Sequence, residues 1–292
     1  MAEAKALAWL NDGKAVKAWL KDPERHLRKR LESESLVKIP QLLPPFVAEG
    51  LLRRLQRLSA DCWDRAGEGA REDVGYEDRV QHRFGIADVE GDALLLGGAR
   101  VLAQMLPGTL PNFSAACYQG QDHIAPHTDE VPEEYSTEEV SELKRAYAAG
   151  SSTVAAARWA AHTPAEERLQ EALRSGDLQA VRAASAGTER RPWRRWVAAA
   201  YYLNKDWKAS FGGRFIDMAD GKEQRHLPEF NTLVAFEVPH LHAVEKVKKG
   251  QKRYSIFGWW LVEDAPKRPA ALKRPAAMKR PAAAAKRPKK GR

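Results

Sequence analysis

Between Asn231 and Leu261 the chain reads NTLVAFEVPHLHAVEKVKKGQKRYSIFGWWL, and no other stretch limits the fold as strongly. It divides into three apolar runs, Thr232 to Val238, Leu241 to Val247 and Arg253 to Leu261, separated by Pro239 and by Lys248-Lys249-Gly250. Short runs of branched and aromatic residues bounded by turn residues predict three consecutive strands. On the last of them, alternation places Arg253 and Ser255 on one face, continued by Phe257 and Trp259. An arginine on an otherwise apolar strand is costly unless it meets an anion, and its planar fork suits a carboxylate.

Far upstream stands His127-Thr128-Asp129. In an extended strand the side chains of His127 and Asp129 project to one side and Thr128 to the other, so both ligands would meet one ion. His242, from a separate predicted strand, completes a set of two histidines and one carboxylate. On non-haem Fe(II) such a set leaves open positions for dioxygen and a co-substrate. His240 lies two residues before His242 and would face the same way on a single strand. Pro239 makes it a residue at the start of that strand, with the rim as its expected place. His123 would lie near the site or in solvent, while His26, His82, His162 and His226 have no partner at ligand spacing.

These residues resemble the 2-oxoglutarate and Fe(II)-dependent oxygenases, and within them the branch similar to intracellular prolyl 4-hydroxylases. The resemblance runs from about Leu36 to Val262 apart from one insertion. It rests on SLVKIPQLLPPFVAEGLLRRL, CYQGQDHIAPHTDE, RRWVAAAYYLNKDWKASFGGRF and the HAVEKV…GQKRYSIFGWW run. It implies that His127, Asp129 and His242 bind iron, that Arg253 pairs with the distal carboxylate of 2-oxoglutarate, and that Tyr118 hydrogen-bonds this co-substrate. Ser255 is a further candidate for the same carboxylate. The family pattern puts a valine two residues and an arginine eleven residues after the histidine ligand, which Val244 and Arg253 satisfy when counted from His242. The implied fold is α+β: a double-stranded β-helix (jelly-roll, cupin-like) core with N-terminal supporting helices and a helical insertion. The implied reaction is hydroxylation of a prolyl residue in an intracellular protein, using Fe(II), 2-oxoglutarate and O2, with ascorbate as a candidate reductant. Alternatives are the same chemistry on a nucleic acid, another amino acid or a small molecule, and a non-catalytic barrel. A nucleic-acid demethylase would carry a second arginine six residues after the first, where this chain has Trp259.

Residues 1–33 are rich in Ala, Leu, Lys and Arg, with Trp9 and Trp19, and predict one or two amphipathic helices that pack on the barrel. A further helix is expected over 44–60, begun by Pro44-Pro45, and a strand near Val80 to Ile86. The oxygenase domain is expected over 34–264. Within it an insertion of about 130–191 carries helix starts at Ser136 with Glu139 and at Thr163-Pro164 with Glu166, and helix stops at Gly150 and Gly176. Two or three alanine-rich helices are expected there, as a lid, a recognition surface or a peripheral hairpin.

The formal charge of +9 is concentrated at one end. From Lys267 onward there are eleven Lys or Arg and no acid, which leaves 37 basic against 39 acidic residues elsewhere, a net of −2. Nucleic acid is therefore expected as a partner only through the tail. That tail, 265–292, repeats KRPAA at Lys267, Lys273 and Lys279, and its prolines and basic pairs predict a disordered segment. The clusters suit a nuclear import receptor, so an intracellular, nuclear or nucleocytoplasmic location is expected. Two cysteines are too few for a disulfide framework, no N-terminal run resembles a secretory signal, and no apolar stretch is long enough to span a bilayer, so no membrane partner is expected.

Overall fold

The computed structural model describes residues 2–66, 82–148, 171–175, 179–180 and 190–264. The alternation read in the last apolar run becomes the two faces of a strand. That strand, β12 (Lys252–Glu263), lies between β4 (Leu110–Gln119) and β7 (Arg190–Tyr202), antiparallel to both. Arg253, Ser255, Phe257 and Trp259 face an internal trough, while Tyr254, Ile256 and Trp260 join the main core on the other side.

The large sheet continues outward from this centre. Its order is β1 (Val37–Ile39), β10 (Thr232–Glu237), β7, β12, β4 and β3 (His82–Asp88). β3 belongs to two sheets: Gly85 to Asp88 pair with β4, whereas His82 and Arg83 pair with β5 (His123–His127). From β5 the smaller sheet runs through β11 (His242–Val244) and β8 (Phe215–Asp217) to β9 (Gln224–His226). All of these pairs are antiparallel, and β2 (Asp64–Ala66) adds a short edge beside β3. Two facing sheets joined in this way form the expected double-stranded β-helix.

Helices cover the outer face of the large sheet because its outward side chains are apolar. α4 (Pro45–Arg57) presents Leu51, Leu52 and Leu55 at helical spacing, and Pro45 occupies its first turn, where a missing N–H costs nothing. α1 (Ala2–Asn11), α2 (Gly13–Leu20) and α3 (Leu27–Leu31) extend the same layer, with Ala6, Leu10, Val16 and Leu27 buried in the common core. Trp9 and Trp19 meet edge to face at 6.2 Å. The Trp19 indole N–H donates to the Leu42 carbonyl at 2.8 Å. The N-terminal tryptophans thus serve packing against the barrel.

One core helix has no counterpart in the sequence expectations. α5 (Ala93–Met105) begins at Asp92, whose carboxylate accepts from the N–H groups of Leu94 and Leu95. Its sequence, ALLLGGARVLAQM, hides its period because Gly97 and Gly98 fall on the buried face. A Cβ at Gly98 would lie 3.0 Å from a Leu51 methyl, so the glycine permits α4 and α5 to approach closely.

The insertion also differs from a run of helices. It opens with a strand, β6 (Pro132–Ser136), which pairs with the first half of β7. Ser136 then caps α6 (Thr137–Ala146) in a reciprocal capping box with Glu139, as the sequence predicts. The buried Arg100 guanidinium of α5 donates to the Ala146 carbonyl at 2.8 Å, and the Tyr147 hydroxyl donates to Glu90 at 3.0 Å. The start of the insertion is therefore bolted to the core and widens the large sheet. Residues 171–175 are helical. The expected helix start at Thr163 and the stops at Gly150 and Gly176, like the tail from 265, lie outside the described residues.

Candidate metal and co-substrate site

His127 ends β5, and His242 begins β11 directly opposite it in the antiparallel register. Facing residues of adjacent strands bring their side chains together, and the two imidazoles lie with centroids 4.1 Å apart. Asp129 arrives by a different route from simple strand alternation. The strand has ended, and Asp129 adopts a left-handed backbone with φ +60°, a conformation that aspartate tolerates better than most residues. This turn carries its carboxylate back to the histidines: Oδ1 is 3.1 Å from His127 Nε2 and Oδ2 is 3.7 Å from His242 Nε2. One donor atom from each of the three residues lies within 4.8 Å of the others.

Both imidazoles are oriented by the backbone. His127 Nδ1 lies 2.9 Å from the Ala125 carbonyl and His242 Nδ1 lies 2.7 Å from the His240 carbonyl. A carbonyl only accepts, so each Nδ1 carries a proton and each Nε2 is turned to the shared centre. Burial pushes the His242 imidazole down to about 4, which keeps it neutral and able to ligate at neutral pH. Burial alone would raise the Asp129 carboxyl, but the hydrogen bond from His127 and the positive groups nearby, Arg195 among them, hold it well below the usual carboxylate range. Burial works against the charged His127 imidazole, but the Asp129 hydrogen bond and charge raise it above its ordinary value; a metal would displace that proton, and two nitrogen donors with one ionised carboxylate then fit a ferrous ion.

Arg253 lies on β12 at 2% exposure. Its guanidinium carbon is 4.6 Å from the Tyr118 ring centroid and 4.8 Å from that of Tyr202. Among the described residues it has no carboxylate partner, and its Nε is buried without a hydrogen bond, as is the Tyr202 hydroxyl. A buried cation left in this state is costly. The arrangement suits a small dicarboxylate whose distal carboxylate neutralises Arg253. Burial raises the Tyr118 and Tyr202 phenols above their ordinary value, with Arg253 opposing, so both are hydrogen-bond donors at neutral pH. Ser255 lines the same trough, as expected, and is buried.

The glycines of the Tyr202 to Gly213 block have a defined part. Gly212 and Gly213 take positive φ of 68° and 66° in the hairpin before β8. A Cβ on Gly213 would stand 3.0 Å from Arg253 Cδ and 2.9 Å from a Val247 methyl. Only glycine lets this hairpin close over the arginine stem.

The trough that joins these groups has a volume of about 860 Å³. It is lined by the His-Asp-His cluster and Arg253, and also by Glu133, Glu134 and Tyr135 of β6. Residues 176–261 match the model of the family described as the 2OG-Fe(II) oxygenase superfamily. That segment contains His242 and Arg253, and the fold brings it against the His127 and Asp129 pair. Over this segment the chain is similar to the 2OG-Fe(II) oxygenases. Enzymes of this family use Fe(II), 2-oxoglutarate and O2.

Similar solved structures include a Pseudomonas putida prolyl-4-hydroxylase, at 18% identity over 80% of this chain and 95% of that chain, with a TM-score of 0.47. A prolyl hydroxylase from Trichoplax adhaerens, in complex with a peptide fragment of the hypoxia inducible factor oxygen degradation domain, is 14% identical. It covers 81% of this chain and 88% of its own, with a TM-score of 0.49. The α-ketoglutarate-dependent epimerase SnoN from nogalamycin biosynthesis is 12% identical, covering 82% and 84%, with a TM-score of 0.43. No curated protein sequence matches the chain.

Several residues around the site escaped the sequence reading. Trp259 donates its indole N–H to Asp129 Oδ2 at 3.1 Å, and the Arg195 guanidinium stacks 3.6 Å from the Trp259 ring centroid. Arg195 also pairs with Glu133 of β6 at 2.6 Å. A signal for Trp259 existed, since it shares the inward face of β12 with Arg253. Arg195 had none, because its role depends on the pairing of β6 with β7. His240 is buried at 5% exposure beside Asp217, which corrects its expected place at the rim. His123 bonds the Gln121 carbonyl and stays outside the cluster.

Proposed function

We propose that this protein is a 2OG-Fe(II) oxygenase that hydroxylates a prolyl residue of an intracellular protein, with His127, Asp129 and His242 holding Fe(II) and with Arg253 and Tyr118 holding 2-oxoglutarate. The observation that carries the co-substrate assignment is the fully buried Arg253, unpaired with any carboxylate among the described residues, in the same trough as the three donors. Bound there, the ferrous ion and 2-oxoglutarate supply the chemistry: O2 and 2-oxoglutarate give succinate and CO2, and one oxygen atom enters a substrate C–H bond.

The chain's own residues supply geometry and exclude water. Arg253 forks onto the distal carboxylate of 2-oxoglutarate, and Tyr118, Tyr202 and Ser255 stand as hydroxyl partners around it. Phe215, Phe236 and Val244 pack beside His242 and keep that end of the trough apolar. The rest of the trough favours a peptide segment: Ile86, Phe257 and Trp259 give an apolar floor, and Glu133, Glu134 and Tyr135 of β6 supply a polar wall. Resemblance of the four sequence blocks to prolyl hydroxylases selects proline among amino-acid substrates. The body's net charge of −2 disfavours nucleic acid in the trough.

The test is succinate formation from 2-oxoglutarate by protein loaded with Fe(II) without oxygen and then exposed to air, with and without a library of proline-containing peptides. Turnover stimulated by such peptides, with a gain of one oxygen on proline, and lost in both His242→Ala and Arg253→Ala, is the expected result. Stimulation by oligonucleotides or free amino acids instead would refute the prolyl assignment while leaving the oxygenase intact. We also propose that the KRPAA tail directs nuclear import. A fluorescent fusion lacking residues 265–292 should then lose nuclear accumulation, and unchanged distribution would exclude it.

A further inference from the structure

We propose that Asp217 and His240 form a positioning pair that fixes the orientation of the His242 imidazole, an inference that rests on His242 being a metal ligand. His242 needs its Nδ1 proton held so that Nε2 points to the metal position, and the acceptor is the His240 carbonyl at 2.7 Å. This carbonyl belongs to the segment between β10 and β11, where no regular ladder sets its direction. Among the described residues, three hydrogen bonds tie the segment to β7 and β8 and the turn that follows β8. The Val238 N–H donates to the Trp196 carbonyl at 2.9 Å, and the Met218 N–H donates to the Leu241 carbonyl at 3.0 Å. The third comes from a side chain of the segment: His240 Nε2 donates to Asp217 Oδ1 at 2.9 Å.

Asp217 is well placed to act on His242. Its backbone faces His242 across the β8–β11 ladder, while its side chain reaches past that residue to His240. The same carboxylate oxygen accepts the Ala219 N–H at 3.0 Å, so the turn after β8 and the approach to β11 are tied to one atom. The His240 ring is packed as well as bonded. It stacks on Phe236 with centroids 4.6 Å apart, and Phe236 lies 4.7 Å from the His242 ring. His240 and Asp217 are 5% and 6% exposed, so water does not replace the bond when it is lost. His240 does not itself belong to the donor cluster, and its ring centroid is 6.4 Å from that of His242. It acts through its carbonyl, as an outer partner that orients a ligand.

The experiment is Co(II) titration of the metal-free full-length protein, followed by visible absorption and competition with a chelator, for wild type, His242→Ala, Asp217→Ala, Asp217→Asn and His240→Phe. His240→Phe keeps the aromatic stack and removes the hydrogen bond. Asp217→Asn keeps an oxygen that accepts from both His240 and Ala219. Partners of this kind are worth roughly 10–100-fold in metal affinity. Asp217→Ala and His240→Phe should therefore weaken Co(II) by roughly that factor and alter the ligand-field bands, with Asp217→Asn close to wild type. Leu51→Ala, a core variant distant from the site, should lower the melting temperature without moving the Co(II) constant. Wild-type affinity and spectrum in folded Asp217→Ala and His240→Phe would overturn the positioning role alone. Co(II) binding that survives in His242→Ala would instead overturn the metal-centre reading on which it stands.

Discussion

His127 and His242 face each other across an antiparallel strand pair, with their rings 4.1 Å apart and both Nδ1 protons given to backbone carbonyls. Two nitrogen donors separated by more than a hundred residues are thus oriented before any metal arrives. Binding should couple to stability, because the unfolded chain has no such site. Fe(II) or Mn(II) at about one hundred times its Kd adds about 2.7 kcal/mol, or roughly 5–10 °C in melting temperature. Differential scanning calorimetry with metal, and then with excess chelator, should show the gain and its reversal. His242→Ala should show neither.

Trp259 ties the Asp129 carboxylate to the large sheet. Trp259→Phe preserves a ring for Arg195 but removes the donor to Asp129 Oδ2. Hydrogen bonds to charged groups contribute about 1.5–3 kcal/mol. The variant should therefore bind metal roughly ten- to a hundredfold more weakly, as read by Co(II) competition.

Arg253→Lys keeps a positive charge and loses the fork. A lysine ammonium cannot make two parallel bonds to a carboxylate, nor stack flat between Tyr118 and Tyr202. The KM for 2-oxoglutarate should rise by roughly tenfold or more, about 1.4 kcal/mol at least. The test is steady-state succinate formation at varied co-substrate, with kcat expected to fall less than kcat/KM.

Gly213→Ala should act on the same carboxylate site from the outside. The new Cβ meets Val247 and the Arg253 stem at 2.9 and 3.0 Å, and alanine must also hold φ +66°. Left-handed strain costs about 1–3 kcal/mol. Denaturant unfolding should show a loss of that order, accompanied by weaker 2-oxoglutarate binding in isothermal titration. Gly91→Ala, with nothing within 4 Å of its Cβ, is the matched control.

The Glu245 carboxyl is held below its ordinary value chiefly by hydrogen bonds from Arg214, at 2.7 and 2.8 Å. A carboxyl with a depressed folded-state pKa stabilises the fold above its unfolded pKa, and this contribution is lost as pH falls through the folded value. Thermal melts of Glu245→Gln should therefore lie below wild type at neutral pH, and the two should converge in acid.

Much of the site was legible in one dimension because its chemistry is local or periodic. The strand pattern of Thr232 to Leu261 needs only alternation, and Arg253, Ser255, Phe257 and Trp259 share a face for that reason alone. The capping box at Ser136 and Glu139 spans three residues and forms as read. α5 went unread because two glycines occupy its buried stripe, where the apolar signal should have been strongest. β6 went unread because PEEYS becomes a strand only by pairing with β7, more than fifty residues later.

The sequence by itself determined which donors were available, their spacing along each strand and the anion-seeking arginine among apolar neighbours. Tertiary structure decided how they meet. It turned Asp129 back through a left-handed residue instead of along the strand, set His242 opposite His127, and buried His240 against Asp217. The reason is physical: alternation along one strand follows from backbone geometry, whereas the register between strands and the burial of a side chain depend on every element packed around them.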